Sequence, residues 1–210
     1  MEFELHSHRY GLEILQNQDE FKKDWEDITE VIKNITDGDL VEHYELYGEN
    51  KMSISTTINN LLKERFVAKK WNAESAIFSD NAMKIEKEYQ DKRWRLDFAN
   101  ENISIEVAFN HGEAIAWNLL KPVLASELNH VEKAFQTKIG IVITATNEMK
   151  KAGAFDGAVG SYEKFLRYLK PLNNQLTVPM VIIGLKAPKT FKVVKRKNDN
   201  GNNIGFIEKI

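Results

Sequence analysis

The fold is decided by the segments Arg95-Leu96-Asp97-Phe98 and Ile103-Ser104-Ile105-Glu106-Val107-Ala108-Phe109. Both segments have the apolar character and alternation of strands, and the polar Asn100-Glu101-Asn102 between them is typical of a turn. The sequence therefore predicts two neighbouring strands, with Asp97 set into one and Glu106 into the other. A carboxylate in an apolar strand is costly unless something compensates its charge. A divalent metal held between two such carboxylates is the commonest compensation, so the pair predicts a Mg²⁺ site of the phosphodiesterase type.

The residues around Glu106 refine this hypothesis and leave an alternative open. Side chains alternate along a strand, so Glu106 and Ala108 point to the same face, and the carbonyl of Val107 is a candidate third oxygen ligand. Mg²⁺ needs only one or two carboxylates because it keeps several waters. Sites of this kind usually carry a polar or charged side chain where this chain has Ala108. The alternative is that Glu106 is a solvent-facing strand residue and Asp97 an edge residue.

Composition excludes several classes of function. The chain has 210 residues, a net charge of −2, 42% hydrophobic and 29% charged residues, and no cysteine, which rules out disulfides and thiolate metal sites. No apolar run approaches the ~20 residues that span a bilayer, and the acidic start is unlike a signal peptide, so we expect a cytoplasmic protein. The balanced charge does not by itself indicate a nucleic-acid binder, but basic residues cluster at 63–70 and 186–197. P-loop, Rossmann, nucleophile-elbow and zinc-ligand spacings are absent from the sequence.

The rest of the chain predicts helices and strands in alternation. Apolar spacing predicts helices over residues 19–36, 57–70, 113–136 (interrupted near Pro122) and 161–169, strands over 138–144 and 178–185, and a hairpin over 191–207. A long Gly- and Ala-rich loop is predicted over residues 149–160. We therefore expect an α/β (α+β) fold, a central mixed sheet flanked by helices, in one domain (1–210) with a C-terminal hairpin at about 188–210.

Four motifs, in this order along the chain, carry a family resemblance. They are Asn59-x3-Lys63-Glu64-x-Phe66-x2-Lys69-x-Trp71, Glu106-Val107-Ala108-Phe109, Ser161-Tyr162-Glu163 and Val178-Pro179-Met180-Val181-Ile182-Ile183-Gly184-Leu185. With the opening His6-Ser7-His8-x2-Gly11-Leu12-Glu13, the matches cover roughly residues 6–187. The chain thereby resembles the BglII and BstYI type II restriction endonucleases, a branch of the PD-(D/E)xK nucleases. Each motif is weakly specific, and the shared order gives the resemblance its weight.

The resemblance implies an activity and a set of site residues. Such enzymes are Mg²⁺-dependent homodimers that cut palindromic double-stranded DNA around a central GATC and leave four-base 5′ overhangs. Asp97 and Glu106 would be the metal carboxylates, Val107 would lend its carbonyl, and position 108 would be the third catalytic position. The expected DNA contacts are Asn110, His111, Asp156, Gly157, Ser161 and Lys63. Glu74 matches an auxiliary active-site position only loosely.

The departure from the family is Ala108, because the family has Gln there and more distant nucleases have Lys or Glu. A methyl group can neither orient a water nor contact a phosphate. Three accounts stay open: an engineered inactive variant, a natural enzyme with a relocated helper residue, or a protein that binds DNA without cutting it. The functional hypotheses are accordingly a site-specific endonuclease and a DNA-binding or regulatory protein with a vestigial nuclease site.

A dimer surface is also predicted. A palindrome is matched most simply by a two-fold symmetric dimer. The helix predicted over residues 113–136 is the candidate contact, through Trp117, Leu120, Val123 and Leu124, unless these four residues all belong to the core.

Overall fold

The computed structural model describes residues 1–48, 51–79, 94–127, 131–198 and 201–210. Its strands are β1 (Phe3–His8), β2 (Asn72–Ala76), β3 (Arg95–Ala99), β4 (Ile103–Val107), β5 (Ile139–Ala145), β6 (Met180–Leu185), β7 (Phe191–Lys197) and β8 (Asn203–Lys209). Its α-helices are α1 (Gly11–Asn17), α2 (Asp19–Lys33), α3 (Asp37–Tyr47), α4 (Ser55–Ala68), α5 (Ile115–Ser126), α6 (Asn147–Ala152) and α7 (Tyr162–Leu169).

A mixed sheet forms the centre of the molecule, in the order β1-β6-β5-β4-β3-β2. Strands β4, β5 and β6 are parallel, whereas β1, β3 and β2 join antiparallel. Every residue of β5 and β6 is buried, which is why both read as continuous apolar runs rather than alternating ones. The predicted mixed sheet flanked by helices is confirmed.

Helices cover both faces of the sheet. On one face, α2 and α4 bury Phe21, Ile28, Ile58, Leu62 and other apolar residues in a cluster with alternate side chains of β4, β5 and β6. On the other face, α5 and α7 pack against the opposite set of alternate side chains. The sheet thus separates two apolar layers, and residues of both α4 and α5 lie beside the carboxyl end of β4.

The predicted long helix is wrong in its extent. Helix α5 ends at Ser126, Glu127 is extended, and residues 131–138 form no helix; residues 128–130, including His130, lie outside the described part. The apolar spacing beyond Ser126 comes instead from loop residues Val131 and Phe135, which pack beside the sheet.

The face of α5 proposed for dimerisation is partly packed within the chain. Val123 is buried, Leu120 and Leu124 pack against apolar clusters, and Trp117 meets Trp94 edge to face at 5.0 Å. Trp117, Leu120 and Leu124 nevertheless remain only half-buried, so both the dimer and its contact through this face of α5 stay predictions.

The C-terminal hairpin is confirmed as strands β7 and β8, paired from Phe191↔Lys209 to Lys197↔Asn203. Two residues of its predicted turn, Asp199 and Asn200, lie outside the described residues. The hairpin is separate from the central sheet and is attached to the core by Phe191 and Val193. None of the helices in the described part is long and apolar enough to cross a bilayer.

Candidate active site

Three acidic residues lie in one row across the edge of the sheet. The register pairs Phe98 with Ile105 and Ala99 with Ser104, so the next step along the two strands brings Asp97 opposite Glu106. The register of β2 with β3 likewise brings Glu74 opposite Asp97. The predicted juxtaposition of Asp97 and Glu106 on neighbouring strands is therefore found.

Beside Val107, the side chain of Asp97 takes the place of a backbone hydrogen-bond acceptor between β3 and β4. Its Oδ2 accepts a hydrogen bond from the backbone N–H of Val107 at 2.6 Å, and the regular β3–β4 pairing ends there. Because the N–H and C=O of one strand residue point to the same side, the Val107 carbonyl also faces Asp97. Burial raises the pKa of Asp97, although the Val107 hydrogen bond opposes the shift by stabilising the charged form.

Glu106 is the most deeply buried acidic group of the site. Its Oε2 accepts a hydrogen bond from Lys121 Nζ at 2.7 Å, and the two side chains are only 3% and 10% exposed. Its Oε1 is buried with no hydrogen-bond partner among the described residues. Burial and the nearby charge of Asp97 raise the pKa of Glu106 well above its usual value, against the effect of Lys121.

These groups open into a cleft of about 370 Å³ at the carboxyl end of β4. Its lining residues come from both helical layers and the sheet edge: Asn59, Asn60, Lys63, Glu74, Arg95, Asp97, Phe98, Glu106, Val107, Asn110 and Lys121. Lys63 Nζ lies 3.7 Å from a Glu74 carboxylate oxygen, and both side chains are about half exposed. The polar face of α4 is thus turned to the cleft while its Ile58, Leu61 and Leu62 are buried.

The cleft is suited to a small hard cation. The unpartnered Glu106 Oε1, the Asp97 carboxylate and the Val107 carbonyl are oxygen donors of the kind that Mg²⁺ binds. In the described part of the chain, no three His, Asp or Glu side chains cluster closely enough to hold an ion by themselves. The donor set therefore fits a Mg²⁺ ion that uses two carboxylates and keeps several waters.

The two segments predicted to read bases lie side by side at the mouth of the cleft. The carbonyl of Asn110 accepts a hydrogen bond from Gly160 N–H at 2.9 Å, and His111 forms an antiparallel bridge with Val159. The loop that contains Gly157 and Val159 is stabilised by Lys150, whose ammonium donates to the carbonyls of both residues.

Four of the predicted DNA-contacting residues are exposed in this region. Asn110, His111 and Asp156 are exposed, as is the backbone of Gly157. The Asp156 carboxylate accepts from Ala158 N–H at 2.8 Å and so stabilises the tight turn at the tip of the loop.

Ser161 and Ala108 are placed differently from the other predicted residues. Ser161 is 4% exposed and is the N-cap of α7, accepting from Lys164 N–H, so its hydroxyl is engaged inside the protein. Ala108 is 2% exposed and packs in the apolar cluster of α5 and α7. We therefore omit Ser161 from the proposed DNA contacts and assign Ala108 a packing role.

Lys121 is the site residue that motif reasoning missed. It is the one charged side chain in the apolar helical sequence from Ile115 to Ala125, and its neighbours Leu119, Pro122 and Val123 are buried. That isolation was a usable signal, because lysine is almost never fully buried unless it is paired. Its partner, however, is identified only by the packing of α5 on β4.

Comparison with known proteins agrees with this geometry. The family model for restriction endonucleases BglII/BglIII matches residues 3–185. The fold is similar to the crystal structure of restriction endonuclease BglII complexed with a DNA 16-mer (TM-score 0.66, 16% identity) and to that of free BglII (TM-score 0.56, 18% identity). Both similarities cover 100% of each chain. No curated protein sequence matches the chain. Because the family match spans most of its length, the chain belongs to the BglII/BglIII family of restriction endonucleases, which are site-specific deoxyribonucleases.

Proposed function

We propose that this restriction endonuclease is a Mg²⁺-dependent homodimer that cuts a palindrome with a central GATC and leaves four-base 5′ overhangs. The observation that carries the proposal is the Asp97–Glu106 pair, which combines a buried carboxylate oxygen without a partner with an adjacent buried carboxylate in an open cleft. Two raised carboxyl pKa values at one cleft are typical of a functional site. Without a cation, burial makes the two negative charges unfavourable, and a bound cation would offset that cost.

Asp97, Glu106 and the Val107 carbonyl would hold the ion. When bound, Mg²⁺ supplies a Lewis acid that offsets charge on the scissile phosphate and activates a water. Asp97 orients this site through its hydrogen bond to Val107, which ties the carbonyl ligand to the carboxylate. Asp97 and Glu106 already line the cleft, so the sheet does not have to rearrange for their carboxylates to reach an ion there.

Recognition is assigned to the two loops at the mouth of the cleft. Asn110 and His111 follow β4 directly, so their distance from Glu106 is fixed by a few residues of backbone. Asn can pair with adenine and His can donate to guanine in the major groove. Asp156 and Gly157 form the second reading segment, and the half-exposed Lys63 suits a phosphate contact.

A homodimer gives each strand of a palindrome its own active site. The DNA-bound structure of BglII supports double-stranded DNA as the partner. A cytoplasmic location, where such an enzyme meets invading DNA, remains a prediction.

The test is digestion of two supercoiled plasmids that differ only in the presence of GATC palindromes. The wild-type protein with Mg²⁺ is expected to linearise the GATC plasmid alone and to stop when EDTA is added. Asp97→Asn is the matched control. It keeps the size of the side chain and an oxygen that can accept from the Val107 N–H, but it removes the negative charge. Sequence-specific binding without cutting in Mg²⁺ would instead support a DNA-binding protein with a vestigial site.

A further inference from the structure

The active site lacks a side chain at the third catalytic position of the strand. Ala108 follows Glu106 on the same face of β4, and its methyl group packs against the apolar residues of α5 such as Ile115 and Leu119. Strand β4 ends at Val107, but the N–H of Ala108 still donates to the Ile143 carbonyl at 2.8 Å and its carbonyl accepts from the Thr144 hydroxyl at 3.0 Å. The small side chain leaves room for α5 to pack closely, but it offers no polar group to a substrate.

Helix α5 brings a charged group to the same cleft. Lys121 lies on the face of α5 that covers β4, and its ammonium is 2.7 Å from Glu106 Oε2. An ammonium has three hydrogen-bond donors, and in the described structure Glu106 uses one of them. The cleft lining includes Lys121 next to Asp97 and Glu106, so the remaining donors are available where a phosphate would enter.

Stability does not explain a lysine at this place. A buried ion pair is often no better than well-packed apolar residues, and the positions around Lys121 on α5 are apolar.

We propose that Lys121 is a catalytic residue that supplies, from α5, the polar group that Ala108 cannot supply from β4. The inference rests on the proposed nuclease function and names a further residue of that same site. In hydrolysis the water oxygen bonds to phosphorus and releases a proton to solvent, the bond to the leaving oxygen breaks, and that oxygen takes a proton from solvent. Lys121 donates a hydrogen bond to a non-bridging phosphate oxygen, where negative charge grows in the transition state.

A structural role for Lys121 predicts a different pattern of effects from a catalytic one. If the lysine only held Glu106 in place for the metal, its loss would weaken Mg²⁺ binding and slow cutting together. If it acts on the phosphate, its loss removes a positive charge beside a cation site. Mg²⁺ binding to the DNA-free protein would then become tighter while cutting becomes slower.

The experiment measures single-turnover cleavage of a GATC duplex and calorimetric Mg²⁺ binding to DNA-free protein. The variants are Lys121→Met, which keeps the aliphatic stem, and Lys121→Gln, which keeps a donor for Glu106. The matched control is Lys69→Met, because Lys69 is also partly buried and ion-paired, with Asp27 and Glu30, but does not line the cleft.

Both Lys121 variants are expected to lose about 100-fold in cleavage rate and to bind Mg²⁺ at least as tightly as wild type, with Lys69→Met cutting normally. Cleavage at the wild-type rate by Lys121→Gln, or weaker Mg²⁺ binding by both variants, would overturn the inference while leaving the endonuclease function intact. A wild-type protein that binds Mg²⁺ but never cuts would overturn both, so the two failures are distinguishable.

Discussion

Replacing Lys121 by Met should destabilise the metal-free protein in a pH-dependent way. Methionine keeps most of the apolar stem, so the principal loss is the ammonium that faces Glu106. Glu106 would then be a buried carboxylate that keeps only the backbone hydrogen bond from Asp97 in the described structure. Removing one member of a buried pair costs about 3–5 kcal/mol. We expect about 3 kcal/mol at pH 8, the lower end of that range, because Glu106 borders an open cleft and can take up a proton.

The direction of the pH dependence follows from the raised pKa of Glu106. A carboxyl group whose pKa is higher in the folded than in the unfolded state contributes stability below its unfolded pKa, and that contribution is lost as pH rises through the folded pKa. Without Lys121 the pKa of Glu106 rises further. The difference in free energy of unfolding between wild type and variant should therefore be small near pH 5 and increase towards pH 8.

The assay is urea unfolding in EDTA at both pH values, followed by circular dichroism. Lys186→Met serves as the control, because Lys186 lies 3.8 Å from Glu4 in an exposed pair and its loss should cost at most about 1 kcal/mol at either pH. A Lys121→Met protein as stable as wild type at pH 8, or a difference that does not change with pH, would refute the buried-charge reasoning.

Further predictions concern the metal, recognition and the fold. Asp97→Asn should abolish Mg²⁺ binding in calorimetry, and unchanged affinity would exclude the site. His111→Ala should weaken binding to the specific duplex by roughly 1–3 kcal/mol and leave random-sequence binding nearly unchanged in Ca²⁺; equal weakening on both duplexes would assign His111 a phosphate contact. Ser161→Ala should lower the free energy of unfolding by about 1 kcal/mol through loss of the α7 cap, without a change in specific DNA affinity; reduced affinity with intact stability would restore Ser161 to the DNA contacts.

The sequence pattern predicted the part of the site that lies within one hairpin. Asp97 and Glu106 are joined by a short turn, so spacing alone brings them together, and the structure confirms their adjacency. Strand β2 was missed because Asn72-Ala73-Glu74-Ser75-Ala76 has no β-branched or aromatic residue and includes Glu74 in a left-handed conformation (φ 52°). This segment forms a strand because it pairs with β3.

Features that depend on packing between distant segments could not be predicted. The helix over residues 113–136 was made too long because loop residues after Ser126 are apolar for tertiary reasons. The Lys121–Glu106 contact depends on how α5 lies on the sheet, which no spacing within either segment determines. Helices α3 and α6 were overlooked although local signals mark their starts, a capping box of Thr36 with Asp39 and an N-cap at Thr146.

Sequencing of the DNA ends left by the wild-type protein tests the central claim most directly. A library of random duplex sequences is digested in Mg²⁺, and the 5′ ends are mapped on both strands. The account predicts ends that begin with GATC inside a longer palindrome, staggered by four bases, and none when EDTA replaces Mg²⁺. Ends without a shared sequence, or cutting that persists in EDTA, would contradict a metal-dependent, site-specific endonuclease centred on Asp97 and Glu106.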